Sequence, residues 1–248
     1  MHEITRAAMD DVPYVTTDQM REVDRLMVDE YGIVLLQMME NAGRGLARLA
    51  RDRFLGGDAR GRRVTVLAGG GGNGGGGLVS ARRLAGWGAT VHVVLVKEPD
   101  RLDEVPRHQL AILERMAVPY AVASDHPSIP PDDMVIDALV GYSLSGPPRG
   151  AAADLISEAN ATTAPVLSLD VPSGVDAATG EVYEPAIKAT ATLTLALPKV
   201  GLRTAEARRH VGELYLADIG VPPELYARPS IGLEVGPVFA EDDQLRIW

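Results

Sequence analysis

Residues Val64 to Val96 read VTVLAGGGGNGGGGLVSARRLAGWGATVHVVLV. A β-branched run, VTVLA, leads into eight glycines between Gly69 and Gly77 that only Asn73 interrupts. A helical stretch, GLVSARRLAGWG, then leads into a second β-branched run, TVHVVLV. Strand, glycine turn, helix and strand in this order make a βαβ unit with parallel strands and a right-handed crossover. A flexible linker does not explain glycines flanked so closely by regular elements. Glycine permits φ > 0 and lets backbone N–H groups approach a ligand. The following helix adds its free amides and the positive end of its dipole. A phosphate or pyrophosphate is the occupant this predicts. No Lys-Ser/Thr pair follows, which excludes a Walker A loop.

Outward from this unit the alternation continues. RHQLAILERM is helical, PYAVA and DMVIDALV are strands, AADLISEAN is helical, and PVLSLDV, ATATLTLAL and GELYLADI are strands. This predicts an α/β fold with a mostly parallel sheet. Before it, Met20, Val23, Leu26 and Met27 recur at helical spacing behind a capping box of Thr16 and Gln19. After Gly32, residues Leu35, Leu36, Met39, Leu46 and Leu49 mark a second amphipathic helix. The methionines of both helices are expected in the core. We divide a single domain, 1–248, into N-terminal helices (1–55), an α/β core (60–226) and a tail (227–248) that wraps over the surface.

All strands of a parallel sheet end on one edge. The glycine turn, Asp137 at the end of VID and Asp170 at the end of SLD should therefore share one crevice, where open α/β sheets bind ligands. A lone aspartate at a strand end is often a turn former or helix cap. Asn73, Asp137 and Ser173 offer only oxygens, which suit a hard cation rather than zinc or copper. His2, His92, His108, His126 and His210 lie outside these loops, so a histidine triad has no support. Gly69, Gly71 and Gly74 also fit G-x-G-x-x-G, with Glu98 and Asp100 where a dinucleotide ribose would need an acid. So glycine-rich a run matches in many registers, and an oxidoreductase stays open without being favoured.

Composition narrows the partners. The 248 residues carry a net charge of -10 and only three lysines, Lys97, Lys188 and Lys199, so nucleic acid and anionic membrane are excluded as partners. There is no cysteine, hence no disulfide, thiolate nucleophile or Cys-bound zinc. No apolar run spans a bilayer, and the opening MHEITRAAMDDVPYV lacks the pattern of a signal peptide, so the expected location is cytoplasmic.

Six stretches, in order from about Thr17 to Tyr226, resemble the YjeF N-terminal domain family, the NAD(P)H-hydrate epimerases. They are MREVDRLMVDEYGI with MMENAGRGLA, LAGGGGNGGGGLVSARRLAGWG, VIDALVGYSLSGPPRG, SLDVPSGVDAATG, IKATATLTLALPKVGL and VGELYLADIGVP. The resemblance implies a Rossmann-like three-layer α/β/α sandwich, often a homodimer, to which the amphipathic N-terminal helices would contribute. It implies an isomerase that interconverts the R and S forms of hydrated NADH and NADPH, with a potassium ion near the nicotinamide end. By motif position, Asn73, Asp137 and Ser173 would hold the potassium. Gly72, Asn73, Gly74, Gly75 and Gly76, together with Gly141, Tyr142, Ser143, Leu144, Ser145, Gly146 and Pro147, would contact the substrate. Asp170 would sit at the reacting ring as the acid/base group. The chain leaves no room for the dehydratase domain fused in many relatives, so a separate dehydratase is expected to complete the repair.

The departures fall in the glycine run. Where the family has A-G-P-G-N-N-G-G-D-G, this chain has Gly70 for the proline, Gly72 for the first asparagine and Gly76 for the aspartate. A weaker or altered ligand is expected, since a lost hydrogen bond costs about 0.5–1.5 kcal/mol. Extra room near Gly76 would admit a different substrate. The alternative is a catalytically impaired module of the same type that binds a nucleotide-like ligand or a protein partner.

Overall fold

A computed structural model describes residues 5, 12–125, 128–130 and 132–248; His2 and His126 lie outside the described residues. Eight strands form one sheet: β1 (Arg63–Ala68), β2 (Thr90–Leu95), β3 (Tyr120–Val122), β4 (Met134–Ala138), β5 (Val166–Leu169), β6 (Ala191–Leu195), β7 (Glu213–Ala217) and β8 (Gln244–Arg246). Their order is β3-β2-β1-β4-β5-β6-β7-β8, and every pair is parallel except β7–β8. From β1 the chain runs outward to β3, then returns to β4 and proceeds the other way. The crevice between the carboxyl ends of β1 and β4 is thus the switch point of the sheet.

The central strands are buried on both faces, as parallel strands between helix layers must be. Val64, Val66 and Ala68 of β1 join the core that holds helices α1 (Thr17–Asp29), α2 (Leu35–Leu49), α3 (Gly72–Gly86) and α4 (Glu104–Arg115). Leu67, one residue out of phase, faces the opposite layer with Leu155 and Ile156 of α5 (Ala151–Ala161). The period-2 pattern of the strands thereby builds three layers. Helices α6 (Ala205–Val211) and α7 (Pro223–Tyr226) complete the set.

The capping box of α1 is present: the Gln19 amide donates to Thr16 Oγ1 at 3.1 Å and the Thr16 amide to Gln19 Oε1 at 2.9 Å. Met20, Val23, Leu26 and Met27 are buried, as their spacing predicts. In α2, Met39, Leu46 and Leu49 are buried, whereas Leu35 stays 37 % exposed and borders the site described below.

Two features depart from the sequence expectation. Helix α3 starts at Gly72, not at Gly77, so most of the glycine run is helix rather than loop. The tail is not merely a surface wrap. Gln244–Arg246 pairs antiparallel with β7 and forms the sheet edge. Three residues give too short a pattern to read; the unpaired edge of β7 decides the outcome.

Candidate active site

Gly74, Gly75, Gly76 and Gly77 of α3 stand where a side chain would collide. A Cβ at Gly69 would lie 1.8 Å from the Leu139 carbonyl oxygen, and one at Gly74 would lie 1.9 Å from that of Gly69. A Cβ at Gly77 would meet Ala138 at 2.5 Å, and one at Gly43 of α2 would meet the Gly76 carbonyl oxygen at 2.4 Å. The Gly69 amide donates to the Ala138 carbonyl at 3.0 Å and ties the end of β1 to the end of β4. Helix α3 is thereby pressed between sheet and α2, which offsets the roughly 1 kcal/mol that glycine costs at a helical position. Its amino end opens on the switch point.

A cleft of about 210 Å³ lies at that point, lined by Met20, Asp24, Leu35, Met39, Gly72, Asn73, Gly141, Tyr142, Ser143, Asp170, Leu195, Lys199 and Ile219. Ligand clefts usually measure about 300–1,000 Å³, so a dinucleotide would place one end here and extend outward. Of the residues singled out in the sequence, Gly72, Asn73, Gly141, Tyr142, Ser143 and Asp170 share this cleft. Gly74, Gly75 and Gly76 are buried in the packing of α3. Leu144, Ser145, Gly146 and Pro147 continue the loop beyond the lining. Asp137 and Ser173 are fully covered and lie behind it. The space expected near Gly76 does not exist: a Cβ there meets Leu169 Cδ2 at 2.7 Å, with Met39 and Ala42 closing the rest. At Gly72, by contrast, the nearest atom is Leu35 Cδ2 at 3.7 Å, an ordinary contact.

Asp170 follows β5 with φ 68°, a left-handed conformation that is uncommon outside glycine and recurs at functional sites. Its Oδ1 pairs with the Lys199 ammonium and lies 3.4 Å from both the Thr194 hydroxyl and the Leu195 amide. Its Oδ2 accepts from the Tyr142 amide at 3.1 Å. Lys199 is wholly buried and also donates to the Leu195 carbonyl at 2.9 Å. Its backbone is held from the far end of the chain: the Val15 amide donates to the Pro198 carbonyl at 2.9 Å and the Val200 amide to the Val15 carbonyl at 3.0 Å. Gly141 separates Asn73 from Asp170; a Cβ there would sit 3.0 Å from both Asn73 Oδ1 and Asp170 Oδ2.

Asp137 is satisfied differently. Oδ1 accepts from the Ser173 hydroxyl at 2.6 Å and the Leu139 amide at 3.2 Å, and Oδ2 from the Ser168 hydroxyl at 2.8 Å and the Ser173 amide at 2.9 Å. Burial pushes its carboxyl above the ordinary range, against these four donors. No cationic side chain is among them. The Asn73 amide nitrogen is buried without a partner. Among the described residues no three His, Cys, Asp or Glu side chains gather as a divalent-metal site would need.

Three contributors escaped the sequence reading. Asp24 of α1 lines the cleft and accepts from the Tyr142 hydroxyl at 2.5 Å. Its signal was a carboxylate on the apolar stripe of Met20, Val23 and Met27. Lys199, whose role the sequence left open, is the counter-ion of Asp170; its signal was a lone lysine inside TLALPKVGL. Lys97, at the end of β2, lies over the glycine turn, where a Cβ on Gly70 would meet its Cδ at 2.7 Å. Glu98 accepts from the Ser124 hydroxyl at 2.9 Å and, like Asp100, lies outside the cleft lining. His92, His108 and His210 are also outside it.

Residues 35–201 match the family model described as YjeF-related protein N-terminus. The chain is 46 % identical to an NAD(P)H-hydrate epimerase of Dehalogenimonas lykanthroporepellens, over 88 % of this chain and 86 % of that one. It is 34 % identical to an NAD(P)H-hydrate epimerase of Rhodopirellula baltica, over 89 % of each. It is 38 % identical to a bifunctional NAD(P)H-hydrate repair enzyme, Nnr, of Salinibacter ruber, over 88 % of this chain but only 42 % of the relative's length. The crystal structure of yeast ynu0 superposes with a TM-score of 0.77 at 26 % identity, covering 95 % of this chain and all of that one.

Proposed function

The chain belongs to the family of YjeF-related N-terminal proteins, and on that premise we propose that it is an NAD(P)H-hydrate epimerase, an isomerase that interconverts the R and S forms of hydrated NADH and NADPH. The observation that carries this reading is Asp170: a carboxylate at the switch point, paired with the buried Lys199 and lining a cleft that the amino end of α3 also borders. The chemistry suits it. Hydration of a dihydropyridine leaves a hydroxyl on the carbon next to the ring nitrogen. Epimerisation breaks that C–O bond, the nitrogen lone pair forms a C=N⁺ bond, and water returns to either face. The negative charge of Asp170 would stabilise the ring cation, and its carboxylate would accept the proton that the incoming water sheds. A positioned base of this kind contributes about 10²–10⁴-fold. The free amides of α3 suit the diphosphate further along the ligand.

A potassium ion fits the residues present. Asn73, Asp137 and Ser173 are the groups that would hold it, all with oxygen donors of the kind a hard cation takes. The Asn73 amide has a buried end without a partner, and turning it over would point its oxygen the same way. Asp137 is a buried carboxyl without a cationic side chain among its partners, and a cation beside it would favour its ionised form. The ion would supply that charge and hold the loops after β4 and β5 together. A homodimer, and a separate dehydratase acting on the epimerised product, complete the proposal.

The test is a direct assay. Purified protein receives the R form of hydrated NADH, with potassium present or replaced by a large organic cation, and chiral chromatography follows the S form. Potassium-dependent conversion above the spontaneous rate is expected. No conversion by folded protein would overturn the epimerase reading.

A further inference from the structure

The ion-paired Asp170 is an acceptor. With Oδ1 on an ammonium and Oδ2 on a backbone amide, it has no proton to give to a departing oxygen. Hydroxide is a poor leaving group, so a donor is required. The cleft holds one other carboxylate. We infer that Asp24 of α1 is a second catalytic residue, which delivers the proton to the departing hydroxyl from across the cleft; this rests on the epimerase reading.

The surroundings of the two carboxylates are opposite. Among the described residues, Asp24 has no cationic partner, and its only hydrogen bond is the one from the Tyr142 hydroxyl to Oδ2, which leaves Oδ1 to the cleft. It sits on the stripe of α1 that carries Met20, Val23 and Met27 into the core. Burial there pushes its carboxyl upward, and the charge of Asp170 pushes the same way; the Tyr142 hydrogen bond and the charge of Lys199 oppose them. Tyr226 of α7 also feels Asp24, and Arg21, one turn earlier on α1, acts on Tyr142. Burial and the neighbouring Asp24 raise the Tyr142 hydroxyl, so it keeps its proton and remains a donor. One carboxylate held by an ammonium and a second without a cation in the same cleft suit a base and an acid.

The step balances. Asp24 gives its proton as the C–O bond breaks, and water leaves with the bonding pair while the ring nitrogen supplies the electrons for C=N⁺. Water then adds to the opposite face and Asp170 takes its proton; exchange with solvent removes that proton from Asp170 and returns one to Asp24. The Tyr142 backbone touches Asp170 and its hydroxyl touches Asp24, so one residue spaces the pair.

The test compares wild type with Asp24→Asn and Tyr142→Phe in the conversion assay across pH. The rate requires protonated Asp24, so in wild type it falls as pH rises through the elevated Asp24 value. Asp24→Asn should lose about 10²–10⁴-fold in kcat and lose that alkaline limb. Tyr142→Phe removes a hydrogen bond that favours the ionised carboxylate, so the limb should move to higher pH with a smaller loss of rate. A merely structural latch between α1 and the loop would move neither limb. An Asp24→Asn variant that keeps the wild-type kcat and limb overturns the assignment. If that variant does not fold, an unmoved limb in Tyr142→Phe overturns it instead. An inactive wild type overturns the epimerase reading itself, a distinct result.

Discussion

The two walls of the cleft are built on opposite principles. On the β5–β6 side, recognition is made of charged side chains: Asp170 against the buried Lys199, with Thr194 beside them. On the α3 side, Gly72 and Asn73 line the cleft and side chains are nearly absent. Charges repay burial only when each is matched, since an unpaired buried ion is expensive. Backbone amides at a helix start need no counter-ion and lose no side-chain entropy, but they demand that no Cβ stand in the way. The charged wall should therefore fail when a partner is removed, and the backbone wall when anything is added.

The largest expected effect is on the charged wall. Asp170→Asn keeps the shape and removes the base, and should lower kcat by about 10²–10⁴-fold in the chromatographic assay. An Asp170→Asn protein with full activity would end the contrast at its centre. Next, Lys199→Met leaves Asp170 buried without its cation, a loss of about 3–5 kcal/mol. For a chain of this size that is a fall of roughly 6–20 °C in Tm by calorimetry. Joining it to Asp170→Asn should restore much of the stability, because neither charge is then left alone. An additive double loss would show that the pair does not act as a unit.

On the backbone wall the expected effects are smaller and differ by position. Gly74→Ala puts a methyl 1.9 Å from a carbonyl oxygen and should cost about 1–3 kcal/mol in urea unfolding, although alanine is the better helix former. Gly72→Asn restores the amide found at this position in the resembling loop and meets nothing closer than 3.7 Å. It should change stability by less than about 0.5 kcal/mol. It should also lower KM by roughly 2- to 12-fold if the amide reaches the substrate, the equivalent of one hydrogen bond. Equal stability losses at Gly72 and Gly74 would mean that sterics do not explain this wall.

Asp137 gives a second comparison with Asp170. It lies one strand away and is as deeply buried, yet it accepts from four neutral donors and lies behind the cleft lining. Asp170 is in that lining and is held by a cation. Proximity to the sheet edge does not separate them; the partners supplied by neighbouring strands do.

Much of this was legible in the linear chain. The β-branched runs and the helices between them required a parallel sheet, and a parallel sheet brings Gly71, Asp137 and Asp170 to one edge. The Thr16–Gln19 capping box placed the start of α1. Both readings rest on local periodicity and capping, which travel with the residues themselves. The ordered motifs also led to the family.

What the chain alone could not decide depends on contacts between distant segments. By propensity five glycines in six residues are a loop; they become the first turns of α3 because the sheet and α2 press against Gly74 to Gly77 and leave room for backbone only. Gln244–Arg246 becomes a strand because β7 offers a free edge. Lys199, fixed by a backbone bridge to Val15 at the other end of the chain, is tolerated in the core because Asp170 pairs with it there. Asp24 reads as a blemish on an apolar helix face until folding sets it across from Asp170. Local sequence determines which elements form, through short-range backbone and side-chain preferences. The tertiary structure decides which buried polar groups meet, because burial and pairing are properties of the packed interior and of no single segment.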